Sequence, residues 1–499
     1  MKLKLLRLFV AAVVLATGVI MGNRCVADDG QSALACATTV FSQPNVRFMH
    51  KVRAVNPGAK VSVKNLPKGL RWNAERCIVD GRVKREGKYT YQIVVNEGGK
   101  VCEENVSLTV SSRLPLAVPF MGWLSWNSVQ DEVSDSIVRA VVDLFKEKGL
   151  YECGWRAVML DDWWHATQRA ADGAPQPNAK RFPQGIAATA KYAHDNGMLF
   201  GIYTDAAPNT CAGAFGSYGF EKIDAQTYAK WGVDIVKCDY CNAPEDVVTA
   251  KVRYRAMADA FREAGYGTIL YICEWGEREP WKWGAEVGGS CWRISQDVRD
   301  CWTGVGTGEG VVQSIRDMKG ISAYQGVNRF NDADMLCIGL HGKGKSSNDL
   351  CGGKGPGITQ DEYRTQFALW CMWSSPMALS FDPRSPYITE DDYEMLRSKA
   401  LIALNQDPMG QQADLISDVD GMLVFAKDCE NGDIAISVTN MNEDSREVAV
   451  DLGSIPGLKA GKAYQCLDAW TNKIVGKVRG SISTTVRSHA TQVYRLSAR

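Results

Sequence analysis

From Leu114 to about Gly410 the chain repeats one pattern, a short apolar run followed by an amphipathic stretch of helical period, at intervals of roughly 35 to 45 residues. The runs are VPFMGWLSWN, RAVMLDDWW, MLFGIYTD, VDIVKCDYC, TILYICEW, SCWRISQD, RFNDADML and SPMALSFD. This is the βα rhythm of parallel sheets. Eight such units predict an α/β fold, a (β/α)8 barrel over residues 114–410. A doubly wound sheet is the alternative, but it usually opens on a glycine-rich phosphate turn, and none follows the first run.

The pattern changes on both sides of this block. Over residues 28–113 the period drops to two: KYTYQIVV and KVCEENVSLTV flank the turn-forming Asn96-Glu97-Gly98-Gly99, which predicts a hairpin in a small immunoglobulin-like β domain. Cys77 and Cys102 are its candidate staple. Such a module either binds sugar or serves as a packing spacer. Residues 411–499 return to strands, with Asn431-Gly432 at the centre of a predicted hairpin, and read as a C-terminal β-sandwich.

Residues 1–27 fit neither pattern. Lys2, Lys4 and Arg7 precede an apolar run from Leu8 to Met21, too short to span a bilayer, and small residues follow near Ala27. The segment reads as a cleaved secretory signal, which predicts a mature protein in the periplasm, outside the cell or on its surface. No other segment is long and apolar enough to cross a membrane. Lysine plus arginine balances aspartate plus glutamate at 57 each, so no basic field is available to attract nucleic acid. The chain has 16 cysteines, and export makes disulfides an expectation. The five histidines are not spaced for a shared metal site, which weakens both a zinc site and a histidine-based triad, and no metal is expected.

Seven of the eight runs end in, or are closely followed by, a carboxylate: Asp161-Asp162, Asp205, Asp239, Glu274, Asp297, Asp332 with Asp334, and Asp382. In a barrel these positions form the C-terminal face, where active sites are built. Each alone reads as a solvated loop acid or a helix cap. Together, with Trp123, Trp126, Trp163, Trp164, Trp275 and Trp292 nearby, they suit a sugar, whose apolar face stacks on aromatic rings while acids take its hydroxyls. Cleaving a glycosidic bond requires two carboxyls across it.

The segments MGWLSWN, LDDWW, GIYTDAAPNTCAGAFGSYG, WGVDIVKCDYC, CEWG with PWKWG, CWRISQDVRDCW, FNDADMLCIG and ALNQDPMG resemble, in order, glycoside hydrolase family 27, the α-galactosidases and α-N-acetylgalactosaminidases. The resemblance runs from Met121 to Gly410 and leaves out the N-terminal block. It implies a retaining exo-glycosidase that needs no cofactor and takes a carbohydrate with a terminal α-galactosyl group. By the same resemblance Asp239 matches the nucleophile and Asp297 the acid/base. Asp161 and Asp162 match the pair at the galactose 4- and 6-hydroxyls, Lys237 the lysine at the 3- and 4-hydroxyls, and Glu274 and Arg293 the pair around the 2-position. Trp126 matches a stacking residue, and Tyr203 and Asp334 fall at further pocket positions.

Strand alternation puts Lys237, Asp239 and Cys241 on one face and turns Cys238 away, towards the strand–helix layer. The C-x-x-C of Cys238 and Cys241 is therefore not one unit. It lacks the second ligand pair of a zinc knuckle and the helix start of a redox motif. By resemblance Cys241 pairs with Cys211, and Cys238 is a buried thiol. An ammonium at Lys237 should lower the pKa of Asp239. For Asp297, burial and the approach of Asp239 act upward and Arg293 acts downward. The sequence departs from animal relatives at Trp163, where they carry a disulfide cysteine, and at Gly276-Glu277, in the loop that admits an acetamide in N-acetylgalactosamine enzymes. Glu274 favours galactose, and the Asp161-Asp162 pair favours it over β-L-arabinopyranose. An α-N-acetylgalactosaminidase, a β-L-arabinopyranosidase and an inactive sugar-binding protein are the alternatives.

Overall fold

The structure, a computed structural model, describes residues 32–304, 309–345 and 357–498. The leader, including Cys25, lies outside them. All eight apolar runs form strands of one parallel sheet: β1 (Met121–Leu124), β2 (Ala157–Met159), β3 (Leu199–Asp205), β4 (Ile235–Asp239), β5 (Ile269–Ile272), β6 (Cys291–Arg293), β7 (Phe330–Asp332) and β8 (Met377–Leu379). Each pairs with its sequence neighbour from β1 to β7, and β8 returns to β1. A parallel bridge between Leu336 and Leu379 closes the ring between β7 and β8. This is the predicted barrel.

Alternation along the strands divides the core in two. Ile235, Ile269, Tyr271, Cys291 and Phe330 point inward and fill the barrel with Leu116, Phe120, Leu124 and Met159. Val236, Cys238, Leu270, Ile272 and Trp292 point outward, into the layer beneath the helices. The inward positions nearest the strand ends are polar: Lys237 and Asp239, Arg293, and Asp332. The packed floor thus lies below a charged mouth.

The N-terminal block forms a four-stranded sheet and a three-stranded sheet. Its predicted hairpin is present, Gly87–Glu97 against Lys100–Val110. Gly98 and Gly99 both take positive φ, 59° and 96°, as a tight two-residue hairpin turn requires. The predicted staple is not formed: the Cys77 thiol turns to the Ala74 carbonyl at 3.5 Å. This block docks on the floor side of the barrel, where Ala37 N–H donates to Ala323 O just ahead of β7. It also reaches the C-terminal block through Lys51–Asp414 (3.0 Å) and Arg76–Asp428 (2.6 Å).

The C-terminal block is an eight-stranded antiparallel sheet that packs around Ile436, Val438, Leu452, Ile482, Val486 and Leu496. The hairpin predicted around Asn431-Gly432, the second of the block, turns over five residues, because Asp428 pairs with Ile434. Asn431 and Asp433 hydrogen-bond each other inside the longer loop, which holds it open beyond the expected two-residue turn. Helix Gln360–Met372, started by a Thr359/Glu362 capping box, lies between barrel and sheet and is buried along most of its length.

Candidate active site

The mouth is assembled from the ends of β1 to β7. After β2, Asp161 takes its N–H to Ser125 Oγ (2.8 Å), and Asp162 N–H donates to Asp161 Oδ1 (2.8 Å). Asp162 in turn accepts Trp163 N–H (2.7 Å) and Ala212 N–H (3.0 Å). Both acids are buried and fixed by backbone donors. Trp163 follows at φ 74°, a left-handed conformation that a non-glycine residue adopts at an energetic cost, and Trp275 and Asp334 do the same beside Glu274 and Arg293.

Asp239 closes β4. Its Oδ2 accepts the Tyr203 hydroxyl at 2.7 Å and lies 3.3 Å from Cys211 Sγ. Cys211 is bonded to Cys241, as the resemblance implies, which ties the loop after β3 to the loop after β4 beside this carboxylate. Cys238 is buried and unbonded, on the opposite face. Asp205, Cys211, Asp239 and Cys241 bring their donor atoms within 4.8 Å of one another. The two sulfurs are spent on each other, so the group lacks the thiolates a soft metal would take.

Lys237 gives its ammonium to Asp161 (2.7 Å), not to Asp239. Burial raises Asp239 to about 6, repulsion from Asp161 adds to this, and Lys237, Cys273 and Tyr203 only moderate it. The expected lowering by Lys237 is real but is outweighed, because the carboxylate is shut away from water. Asp205, buried and facing Asp239, is pushed up to about 9 while accepting the N–H groups of Ala207 and Cys241.

Asp297 lies beyond β6. Burial alone would raise it, but Arg293, Arg299 and Lys237 together hold its carboxyl below the ordinary value. Arg293 grips Oδ1 with two nitrogens at 3.2 Å each and pairs with Asp334 at 2.9 Å. Asp334 Oδ2 accepts Val298 N–H at 2.7 Å, which locks the acid's loop to the end of β7. Trp126, half-buried, packs on the barrel floor cluster at the first strand's end.

Glu274 and Arg293 do not bond to each other. Glu274 is fully buried and is held by Arg278 through its N–H and its guanidinium, both 2.9 Å from Oε2. Burial raises Glu274 to about 7 against the pull of Arg278. Arg278 also bonds Glu277 at 3.2 Å and the Glu245 carbonyl at 2.9 Å, and it lies 4.8 Å from the Tyr240 ring. The sequence reading missed Arg278 and Arg299; their spacings, four residues after Glu274 and two after Asp297, were the available signals. Two of the strand-end acids are committed to other protein groups. Asp332 accepts the Tyr271 hydroxyl inside the barrel. Asp382 turns away from the mouth into a pair with Arg384 at 2.6 Å.

Comparison with known proteins agrees with this geometry. The family model described as alpha galactosidase A matches residues 118–407, and that of the alpha galactosidase C-terminal beta sandwich domain matches residues 419–496. The alpha-galactosidase A of Cellvibrio japonicus is 33% identical over 76% of this chain and 92% of its own. The alpha-galactosidase of Cyamopsis tetragonoloba is 31% identical over 82% and 95%. Among solved structures, alpha-galactosidase I of Mortierella vinacea superposes with a TM-score of 0.71 at 26% identity, covering 78% of this chain and 99% of its own. Among the described residues no helix is long and apolar enough to cross a membrane. The chain belongs to the melibiase-like glycoside hydrolase family 27, and it is an α-galactosidase.

Proposed function

We propose that the protein is an exported, retaining exo-enzyme that removes terminal α-D-galactosyl groups by double displacement. The observation that carries this is the contrast between its two central carboxyls. Asp239 is set among a tyrosine hydroxyl, a thiol and an ammonium, with Oδ1 left without a partner among the described residues. Asp297 is gripped by arginines on a separate loop. In this reading Asp239 Oδ1 attacks the anomeric carbon while Asp297 protonates the leaving oxygen, and water then releases the sugar with Asp297 as base. Asp161 and Asp162, both fixed by N–H donors, take the 4- and 6-hydroxyls, and Lys237 bridges from Asp161 towards the 3-position. Trp126 supplies a stacking face.

Arg278 supports galactose over N-acetylgalactosamine, because it fills the space beside Glu274 that an acetamide would need. The leader at residues 1–27 supports export, which N-terminal sequencing of secreted protein tests. The central experiment is hydrolysis of aryl α-galactoside, α-N-acetylgalactosaminide and β-L-arabinopyranoside, with the product anomer followed by NMR. The α-galactoside should be strongly preferred and α-galactose should appear first; β-galactose as first product would refute retention.

A further inference from the structure

Asp297 is held from both sides. Arg293 saturates Oδ1, and Arg299 Nη2 stands 3.5 Å from Oδ2. Arg293 has a second partner in Asp334, which helps account for its place in the barrel. Arg299 has no such reason. Its side chain is 9% exposed, its Nε and Nη1 meet no acceptor among the described residues, and Asp297 is the only carboxylate the described residues bring within ion-pair reach. Burying a guanidinium with so few acceptors is unfavourable. The backbone nonetheless fixes it there, because Arg299 N–H donates to Glu309 O (2.8 Å) and Glu309 N–H to Asp297 O (3.2 Å).

Because Oδ1 is occupied, Oδ2 is the oxygen left to exchange a proton, and Arg299 faces that oxygen. We propose that Arg299 is a positioning residue for the second half of the reaction, holding Asp297 as an oriented carboxylate ready to accept a proton from the attacking water. The proposal rests on the retaining reading above. In that step the water oxygen bonds to the anomeric carbon of the galactosyl–Asp239 ester. The bond from that carbon to Asp239 breaks with its electron pair returning to Asp239, and the water proton passes to Asp297 Oδ2.

The charges around Asp297 favour this division of labour. Arg293 faces it from β6, Lys237 from β4 and Asp334 from beyond β7; Asp239 shares the strand of Lys237, and the Cys273 thiol beyond β5 faces Asp239, Lys237 and Arg293. The Glu309 carboxyl, across the bridged loop, faces Arg293 and Asp334. Once Asp239 is esterified its negative charge is gone, and the pH dependence of the second step reports Asp297 without interference from its partner.

The test uses the whole protein and 2,4-dinitrophenyl α-galactoside, whose leaving group is good enough that breakdown of the galactosyl-enzyme limits kcat; a pre-steady-state burst of dinitrophenol checks this. The kcat should fall on the acid side as Asp297 takes up a proton. In wild type this limb should lie below that of an ordinary aspartate, the direction in which the guanidinium groups of Arg293 and Arg299 hold Asp297. Arg299→Gln should move this limb up by about one pH unit, the effect of losing an opposite charge at short range, while Arg299→Lys should stay near wild type. An unmoved limb in folded Arg299→Gln, or equal movement in both variants, would overturn the proposal. So would a wild-type limb above that of an ordinary aspartate, which decides the matter even if Arg299→Gln does not fold. Wild type inactive on every α-galactoside would instead refute the underlying function, so the two failures are distinguishable.

Discussion

Lys237 stands two residues before Asp239 on β4, yet its ammonium is committed to Asp161 at the end of β2, 2.7 Å away. The lysine thereby joins the acids assigned to the far side of the sugar to the carboxylate assigned to its anomeric carbon. Lys237→Met should leave Asp161 buried without its cation, a loss of about 3–5 kcal/mol for a broken buried pair. It should also push Asp239 further up, moving the acid limb of kcat/KM to higher pH. Thermal unfolding and a pH profile check both, and an unchanged melting temperature would show that the pair is energetically idle.

Asp239→Asn should abolish turnover of an aryl α-galactoside, by at least about three orders of magnitude for a lost nucleophile, while stabilising the fold near neutral pH. In the folded protein Asp239 is raised to about 6, so it holds a proton that the unfolded chain has already released above about pH 4. Stability is therefore lost as pH rises from about 4 through 6, by roughly 3 kcal/mol at two pKa units. Asparagine carries no charge to bury, so the variant should melt above wild type at pH 7.5 and level with it near pH 4. Equal melting temperatures at both pH values would contradict the buried-charge account.

The barrel was legible because buried parallel strands write themselves as apolar runs, and the site because its acids keep phase with the strand ends. Phase alone fails at Asp382, where Arg384 N–H (2.9 Å) and the Arg384 side chain hold the carboxylate in a turn. The direction of the Asp239 shift was also beyond sequence, since it depends on how completely water is excluded. The capture of Glu274 by Arg278 was hidden for a different reason. It depends on Trp275 and Gly276 at φ 58° and 77°, and a side chain at Gly276 would meet Ile294 O at 2.1 Å. Only that tight reversal lets residue 278 fold back on residue 274.

Arg278→Ala should free Glu274 from its cation and open space at the 2-position. Burial already raises Glu274 to about 7, so removal of the guanidinium should leave it protonated at neutral pH. We expect kcat/KM for the α-galactoside to fall about tenfold or more, with the ratio of acetamido-sugar to galactoside activity rising. A fall in both by the same factor would mean that Arg278 does not discriminate at that position.

Lys51 tests whether the N-terminal block is a brace. It is 5% exposed and spans to the C-terminal block through Asp414 (3.0 Å) and the Gln412 carbonyl (2.7 Å), on the floor side of the barrel. Lys51→Met should lower the melting temperature, through a loss of about 1–3 kcal/mol for a buried carbonyl left without its donor and a pair with the partly exposed Asp414, with kcat/KM on small and polymeric galactosides unchanged. A selective loss on the polymer would favour sugar binding by this block.

The Cys211–Cys241 bond encloses a separation of 30 residues, for which chain entropy gives about 3–4 kcal/mol. Its functional weight should exceed that figure, because Cys211 Sγ lies 3.3 Å from Asp239 Oδ2, and Cys241 N–H is held by Asp205. Opening the bond frees the two loops that flank Asp239. The double variant Cys211→Ser/Cys241→Ser should therefore lose kcat more than tenfold at a temperature where it remains folded. Reduction of wild type should reproduce that loss in step with the appearance of two new thiols. Cys238→Ala, on the opposite face of the strand, should keep near-native kcat despite standing next to Asp239. If it loses activity as the double variant does, the separation of the two cysteines into a packing thiol and a loop tie is wrong.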